Sequence, residues 1–354
     1  MLGRGIDQVM ACPSDPTLHE RWVGDARRYV ELAESASGSI ARRVPAAYVW
    51  GDALGTLRSA DARIINLETA VCTSSRPWPD KGIHYRMHPA HVDSLRTAEI
   101  DICALANNHV LDWGRTGLTE TLESLRAAGI STCGAGHDLP RARAPTMAQH
   151  LSGARVLVLS RGAESSGIPR AWGAGHDRAG VALFDPSDPT AVDEITAAVI
   201  DRRQAGDVVV ASLHWGGNWG YRIDESQRRF ARALIDEAGV DVVHGHSSHH
   251  PLGIEIYRGR PIIYGSGDLI NDYEGIGGHE ELRPGLGLIY LPLFELDSAI
   301  MTGMQLEAWQ VHRFRLVAPS DADVDWLTVR LARESRTFGT SIERIGAQRL
   351  RVGW

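Results

Sequence analysis

Short apolar segments rich in Val and Ile recur through the middle of the chain, and this repetition constrains the fold more than any other feature. Between them stand segments with apolar residues three and four positions apart, at 116–128 and 227–238, which is typical of helices. Continuous apolar strands are expected where both faces of a parallel sheet are covered. The pattern therefore predicts an α/β fold. The clearest predicted strands are residues 63–67, 101–106, 155–160, 207–213 and 240–244.

The two ends of the chain depart from this pattern. Residues 11–47 include a Ser/Gly-rich segment after the predicted helix and resemble an insertion. The tail has strand-like segments joined by Gly-rich turns, then a helix and a short strand. We therefore expect one domain over residues 1–354, with this insertion and a C-terminal extension from about residue 297, in preference to two domains. The elements predicted in these regions are a helix at 20–35, strands at 253–257, 261–264 and 286–296, and a helix at 326–335.

Composition excludes several classes of function. The net charge of −7 argues against broad binding to nucleic acid or to an anionic membrane, which needs a basic face. The basic residues are nearly all Arg, and Lys81 is the only lysine. The four cysteines show no CxxC spacing, so neither a disulfide framework nor a thiolate zinc site is expected. No signal-like segment or bilayer-length apolar run is present in the sequence, and a cytoplasmic location is expected.

Polar residues follow the predicted strands at the point where each strand ends. Glu68 follows the first, Asn107-Asn108-His109 the second and His214 the fourth, while four histidines occur between His244 and His250 at the end of the fifth. Ligands bind beyond the carboxyl ends of the strands in an open α/β sheet. Imidazole nitrogens with a carboxylate and an amide oxygen suit Zn, Mn or Fe better than Ca or Mg. The strand ends therefore predict a transition-metal site.

Each of these features also has an ordinary structural explanation. Glu68 alone would be a solvated carboxylate, and Asn107 and Asn108 are common turn residues. His214, beside a tryptophan, would fit a buried core histidine. The histidine run would also fit a surface loop. Because all of these residues occupy equivalent strand ends, we favour one metal site that they share over the separate structural explanations.

The chain resembles the CapA family, named for poly-γ-glutamate capsule synthesis, in four motifs between Met1 and about Leu296. That family resembles the calcineurin-like metallophosphatases, so the resemblance implies a four-layer α/β/β/α sandwich around a two-metal site. The combination is specific, although each motif alone is not. The motifs are Asn66-Leu67-Glu68-Thr69, Ala106-Asn107-Asn108-His109-Val110-Leu111-Asp112, His214-Trp215-Gly216 and Gly245-His246-Ser247-Ser248-His249.

The resemblance also implies roles for individual residues. Glu68 would replace a bridging aspartate between two divalent ions (Mn, Zn or Fe), with Asn108, His214, His246 and His249 as the other ligands. His109 would be the acid or charge stabiliser. Asp112 would orient the imidazole of His109; alternatively, Asp112 would cap a helix. His250 competes with His249 for the ligand position. The candidate catalytic residues are therefore His109, Asp112 and His250.

One metal ligand of the family has no counterpart in this sequence. Family members usually open with a strand ending in Gly-Asp, whose aspartate binds one metal, followed by a segment similar to Met1-Leu2-Gly3-Arg4. We therefore expect either a strand upstream of Met1 or a site that lacks this aspartate. Asp7 is the substitute that the sequence offers.

Residues around the strand ends are candidates for substrate contact. Arg86 could clamp a carboxylate or phosphate or form a surface salt bridge. Trp215 and Trp219 could wall an apolar pocket or pack in the core. Asp268 could provide an acid at the rim or belong to a tight turn. The full predicted set is Tyr85, Arg86, Trp215, Asn218, Trp219 and Asp268.

Three functions are compatible with these residues. Two neighbouring metals polarise carbonyl or phosphoryl oxygens and acidify bound water. Some CapA-like proteins resemble epimerases of ribosomal peptides, including a lasso-peptide tryptophan epimerase, so the resemblance favours a peptide or polyamide substrate and proton exchange at Cα. The alternatives are phosphoester hydrolysis, supported by Arg86, and a non-catalytic polyamide-binding protein related to capsule synthesis.

Overall fold

The structure is a computed structural model that describes residues 1–150, 153, 155–296 and 298–354. Over these residues the helices are α1 (Gly5–Val9), α2 (Arg27–Ser37), α3 (Leu54–Ser59), α4 (Val92–Thr97), α5 (Gly114–Ala127), α6 (Leu139–Arg143), α7 (Thr190–Ile200), α8 (Glu225–Asp236) and α9 (Asp321–Ser335). Within the same ranges, none of the helices has the length and apolar character needed to cross a membrane.

The strands form the predicted mixed α/β architecture. All five strands predicted in the middle of the chain are present, as β1, β4, β8, β11 and β12, with small shifts at their ends. In chain order the strands are β1 (Ile64–Asn66), β2 (Ala70–Val71), β3 (Arg86–Met87), β4 (Ile102–Ala104), β5 (Ser131–Cys133), β6 (Ala135–Gly136), β7 (Thr146–Gln149), β8 (Arg155–Ala163), β9 (Gly180–Val181), β10 (Leu183–Phe184), β11 (Val208–His214), β12 (Val242–His246), β13 (Ile254–Tyr257), β14 (Arg260–Ile263), β15 (Leu286–Phe294), β16 (Met301–His312), β17 (Arg315–Val317), β18 (Ser341–Arg344) and β19 (Arg349–Gly353).

Two sheets carry the ends of the predicted strands; the smaller is parallel and the larger is mostly parallel, with β13 antiparallel to β14. The smaller has the order β1-β4-β5, with Asn66 in register with Ala104. The larger has the order β10-β8-β11-β12-β14-β13, with β7 added antiparallel to β8. In this sheet β11 and β12 are adjacent and His214 is in register with His246. The carboxyl ends of neighbouring strands therefore bring the predicted residues together in pairs.

Apolar packing joins the two sheets and covers their other faces. One buried cluster contains Ile102 and Ala104 of the small sheet together with Val158, Val210 and Val242 of the large sheet. Helix α5 belongs to the same core cluster as β4, and α7 and α8 pack in a cluster with β8, β11 and β12. At the carboxyl edge the sheets approach closely, because a Cβ added at Gly162 would lie 2.8 Å from the Ala106 carbonyl oxygen.

The C-terminal part forms a separate antiparallel sheet with the order β15-β16-β19-β18, and β17 pairs with β16. Helix α9 packs on this sheet and on Ile254 and Ile263 of the large sheet. It begins before its predicted start at residue 326, because the Ser320 side chain accepts a hydrogen bond from the Asp323 amide and caps the first turn.

The segment 11–47 begins with a hydrogen-bonded turn and continues into α2. The predicted helix at 20–35 starts only at Arg27, because Leu18 N donates to Gly24 O and Ala26 N donates to Pro16 O, which closes a loop before the helix. Leu18 and Ala26 pack with Tyr29 in a small cluster of their own. The assignment of this segment as an insertion stays a prediction.

Candidate functional site

A network of asparagines holds the loops that follow β1 and β4. Asn66 donates to Glu68 Oε2 at 2.8 Å. Asn107 donates to Asn66 Oδ1 and to the Leu67 carbonyl, both at 2.9 Å, and its own oxygen accepts the His109 amide at 3.1 Å. The sequence analysis left Asn107 open as a turn residue and assigned nothing to Asn66. Both position the residues that carry the predicted chemistry.

Glu68 is a buried carboxylate at the centre of the candidate site. It is 9% exposed, and burial raises its pKa to about 7, although the charge of His249 opposes this. Its Oε1 lies 3.9 Å from His214 Nε2. Glu68 therefore lies near His214 at the end of β11 and near His249 in the segment after β12, as a bridging group would.

His214 and His246 lie side by side at the ends of β11 and β12. Their Nδ1 atoms are 2.7 Å apart. His246 Nε2 lies 2.9 Å from Ser212 Oγ, which is also 3.1 Å from His244 Nδ1. Burial lowers the pKa of His214 and of His246 well below the ordinary value, and neighbouring imidazoles lower it further. Both rings are therefore neutral near pH 7, which is the form that binds metals.

Two buried atoms of the predicted metal ligands lack partners. Asn108 Oδ1 and His214 Nε2 make no hydrogen bond to the residues that the structure describes. Such orphaned atoms point to a missing ligand. An amide oxygen, an imidazole and a carboxylate form a suitable donor set for one transition-metal ion. The residues present therefore fit one ion, held by Glu68, Asn108 and His214.

The predicted metal ligands together are not arranged as a complete coordination shell. Within the described ranges, no group of three or more His, Cys, Asp and Glu side chains already stands as metal ligands would. The 2.7 Å contact between His214 and His246 is a hydrogen bond. The Nδ1 atom of His214 is therefore occupied by His246, and the unpartnered Nε2 is the nitrogen of His214 that can serve an ion.

The structure separates His249 from His250. His249 Nδ1 lies 3.1 Å from Asp268 Oδ2. Burial lowers the pKa of His249, but Asp268 outweighs this and raises it overall. His250 instead packs edge-on against Tyr221, and its Nδ1 lies 3.3 Å from the Pro251 carbonyl. The Nε2 atom of His250 is buried without a partner among the described residues, and its predicted catalytic role stays a prediction. Asp268 orients His249 rather than lying free at the rim.

His109 and Asp112 form the predicted dyad. His109 Nδ1 lies 2.6 Å from Asp112 Oδ2, and the same carboxylate accepts the Tyr85 amide at 2.6 Å. Burial raises the pKa of Asp112 to about 6, opposed by the charge of Lys81. Burial lowers the pKa of His109 well below its ordinary value, and Lys81 lowers it further. Because α5 is capped at Trp113, Asp112 is not a helix cap.

Several residues near the dyad are positioning residues rather than exposed contacts. Tyr85, predicted to touch substrate, is buried, with its ring 4.0 Å from that of His109 and its hydroxyl 3.0 Å from the Tyr273 hydroxyl. Tyr273 Oη in turn lies 3.5 Å from His249 Nε2. The buried Arg4 guanidinium lies 4.8 Å from the Tyr85 ring. The sequence analysis assigned no role to Arg4 or Tyr273.

Two further predictions are corrected by the contacts of the side chains. Arg86 is buried against the Trp113 ring and donates to the carbonyls of Ser74 and Asp15, so it neither faces a substrate nor forms a surface salt bridge. Trp215 is 2% exposed and donates to the Tyr264 carbonyl, which makes it a core residue.

Asp7 is not available as a substitute ligand. Its carboxylate accepts the amides of His88 and Ser14, both at 2.7 Å. It also lies 2.8 Å from His91 Nδ1. These three contacts use both oxygens in a buried position, so Asp7 stabilises local structure.

Asn218 and Trp219 lie beside His249, and their contact with substrate stays a prediction. Asn218 is exposed, and its carbonyl accepts the His249 amide at 3.0 Å. The half-buried Trp219 ring lies 5.0 Å from the His249 ring and stacks on His279 at 3.7 Å. An aromatic surface therefore borders His249.

A cavity of about 530 Å³ is continuous with the site. Glu68, His246 and Asp268 contribute to its polar end, and residues of β1 and β15, such as Ile64 and Leu288, provide apolar walls. The candidate site therefore lies at one end of a cleft between the small parallel sheet and the C-terminal sheet.

Comparison with known proteins places these residues in a family. The family model described as bacterial capsule synthesis protein PGA_cap matches residues 1–273. A probable polyglutamine synthesis accessory protein of Mycobacterium tuberculosis is 45% identical over 345 residues, which cover 97% of this chain and 90% of that protein. The PGA biosynthesis protein CapA of Bacillus subtilis is 30% identical over 73% of this chain and 64% of its own length. The capsule biosynthesis protein CapA of Bacillus anthracis is 26% identical over 66% of this chain and 56% of its own length. The chain therefore belongs to the bacterial capsule synthesis protein PGA_cap family.

Proposed function

We propose that the protein is a metal-dependent enzyme that performs acid–base chemistry on a polyamide during synthesis of a glutamate polymer. The names of the similar proteins, which refer to polyglutamine and PGA synthesis, support the substrate class. The observation that carries the proposal is the orphaned His214 Nε2, which lies 3.9 Å from the buried Glu68 carboxylate, together with the orphaned Asn108 Oδ1 on the loop after β4. The His109–Asp112 dyad supplies a proton-transfer group in the same site.

A divalent ion held by Glu68, Asn108 and His214 would polarise an amide carbonyl and acidify the neighbouring Cα–H. His109 Nε2 accepts that proton, and Asp112 stabilises the imidazolium that results. His109 then returns a proton that has exchanged with solvent. Return to the same face restores the centre, whereas delivery of a proton from solvent to the opposite face, with release of the His109 proton to solvent, inverts it; the proposed outcome is therefore epimerisation at Cα.

Solvent exchange at Cα tests the reaction. Purified protein is incubated in D₂O with α- or γ-linked oligoglutamate and Mn, Zn or Fe, and Cα deuterium and D-glutamate are measured by mass spectrometry and chiral chromatography. His109→Gln is the matched variant, because it keeps the proposed metal ligands. We expect deuterium with wild type and at least a 100-fold loss in the variant. No deuterium with any metal would contradict the proposal.

The phosphoesterase alternative loses its residue-level support in this structure. Its predicted anion clamp, Arg86, is committed to two backbone carbonyls and to the Trp113 ring. A panel of phosphomonoesters and phosphodiesters in the same metal buffers serves as the comparison. Turnover of these esters without Cα exchange would favour hydrolysis over the proposed reaction.

The finer fold assignment and the second ion belong to this proposal as well. The cluster that joins the small and the large sheet, with α5 on one side and α7 and α8 on the other, supports an α/β/β/α sandwich of the metallophosphatase type. His249, oriented by Asp268, is the proposed ligand of a second ion that Glu68 would bridge. The cytoplasmic location stays a prediction.

A further inference from the structure

Lys81, the only lysine of the chain, lies inside the candidate site. Its side chain is 14% exposed, and Nζ lies 2.6 Å from Asp112 Oδ1. Nζ also donates to the Ile83 carbonyl at 2.9 Å and lies 3.1 Å from His109 Nδ1. Lys81 is therefore held within the site by its contacts instead of extending into solvent.

Asp112 and Lys81 both approach Nδ1 of His109, and in a given tautomer only one of them can form a hydrogen bond with it. If Nδ1 carries a hydrogen, it donates to Asp112 Oδ2 at 2.6 Å; if it does not, it accepts from Lys81 at 3.1 Å. The contact with the carboxylate is shorter, and hydrogen bonds to carboxylates are the stronger kind. The geometry therefore favours hydrogen on Nδ1 and leaves Nε2 with its lone pair.

The plane of the Asp112 carboxylate decides whether this arrangement persists. The Tyr85 amide at 2.6 Å and His109 both bind Oδ2. Lys81 binds Oδ1 at 2.6 Å. With Oδ1 in this ion pair, rotation of the carboxylate would separate two opposite charges inside the protein, which is costly. Without Lys81, the carboxylate could turn away from His109.

We propose that Lys81 is a positioning residue, which fixes Asp112 so that His109 stays in the tautomer with hydrogen on Nδ1 and a free Nε2. This inference rests on the proposed function for its purpose, since His109 Nε2 is the group that accepts the proton there. Lys81 itself touches neither the proposed ion nor the substrate. It acts through Asp112 on the ring that does.

The hydrogen position on His109 can be measured directly. Protein labelled with ¹⁵N in its histidines is examined by long-range ¹H–¹⁵N correlation spectroscopy in EDTA, and the His109 signals are assigned with His109→Gln. We expect hydrogen on Nδ1 in wild type, a mixture of both tautomers in Lys81→Met, and recovery of the wild-type pattern in Lys81→Arg. Thermal unfolding shows that each variant is folded. If Lys81→Met does not fold, Lys81→Gln provides the same comparison.

The inference is overturned if His109 of the wild type carries its hydrogen on Nε2. It is also overturned if a folded Lys81→Met or Lys81→Gln protein shows an unchanged His109 spectrum. The measurement needs neither metal nor turnover. Absence of Cα exchange together with the expected tautomers would contradict only the proposed function. Exchange together with an unchanged spectrum would contradict only the role of Lys81.

Discussion

The Asp268 carboxylate lies 3.1 Å from Nδ1 of His249, which leaves Nε2 as the ring nitrogen that can serve a ligand. Metal-binding histidines usually donate their other nitrogen to such a carboxylate. The neighbouring His250 has no carboxylate partner among the described residues and packs against Tyr221 instead. The sequence offered both histidines for one position, and this contact distinguishes them.

We therefore expect His249→Gln to weaken metal binding and His250→Gln to leave it unchanged. Asp268→Asn should weaken binding about 10–100-fold through its effect on the His249 ring. Titration calorimetry with Mn or Zn, together with metal analysis after dialysis, measures these affinities. His250→Gln is the matched control, because it is the adjacent residue with the same side chain. Equal losses in His249→Gln and His250→Gln would refute the assignment.

Glu68 should make the stability of the metal-free protein depend on pH. Burial raises its folded-state pKa to about 7, whereas an unfolded glutamate has a pKa of about 4.3. A raised pKa means that the folded state binds this proton more tightly. The stability conferred by Glu68 is therefore fully present below about pH 4.3 and is lost as the pH rises through about 7. The full loss is about 4 kcal/mol, at about 1.36 kcal/mol per pKa unit.

Comparison with Glu68→Gln isolates this contribution, because glutamine resembles the protonated carboxyl group. In EDTA, the free energy of unfolding of the variant relative to wild type, measured in urea, should rise by about 3 kcal/mol between pH 5 and pH 8. With Mn or Zn present, wild type should regain the advantage, because only the ionised carboxylate binds metal. A stability difference that does not change with pH in EDTA would contradict the raised pKa.

Hydrophobic patterning was sufficient to predict the central strands and the two main helices. Their apolar faces are long and periodic, so local sequence and tertiary packing agree. The helix at 20–35 was misplaced because its first residues form a loop whose hydrogen bonds, such as Leu18 N to Gly24 O, depend on tertiary packing. The early start of α9 had a local signal in Ser320 and Asp323, a capping pair that periodicity alone does not detect.

The residues at the strand ends were predictable because parallel strands place their carboxyl ends on one edge. What the sequence could not show is the direction of each side chain. Arg86 has the same donors whether it faces a substrate or the Trp113 ring, and only the fold decides between them. Lys81 and Arg4 lie far in sequence from most of the residues they contact, so no local pattern marks them.

Arg4 and Asp272 form a buried ion pair that ties the start of the chain to the edge of the site. Arg4 Nε lies 2.9 Å from Asp272 Oδ2, and a second nitrogen lies 2.7 Å from Oδ1. Both side chains are almost completely buried, and the guanidinium also lies 3.6 Å from the centre of the Tyr29 ring. Removing one partner leaves the other charge buried and unpaired.

We therefore expect Arg4→Met and Asp272→Asn each to lower the free energy of unfolding by about 3–5 kcal/mol. The double variant should lose about 1–3 kcal/mol less free energy of unfolding than the two single losses added together, because neither charge of the pair is then left buried and unpaired. Urea unfolding of all four proteins measures the coupling. The exposed pair Arg27 and Asp25 is the matched control, and its variants should change stability by less than about 1 kcal/mol. Strictly additive losses at Arg4 and Asp272 would show that each acts through other neighbours, such as Glu20 for Arg4 and the Gly5 amide for Asp272.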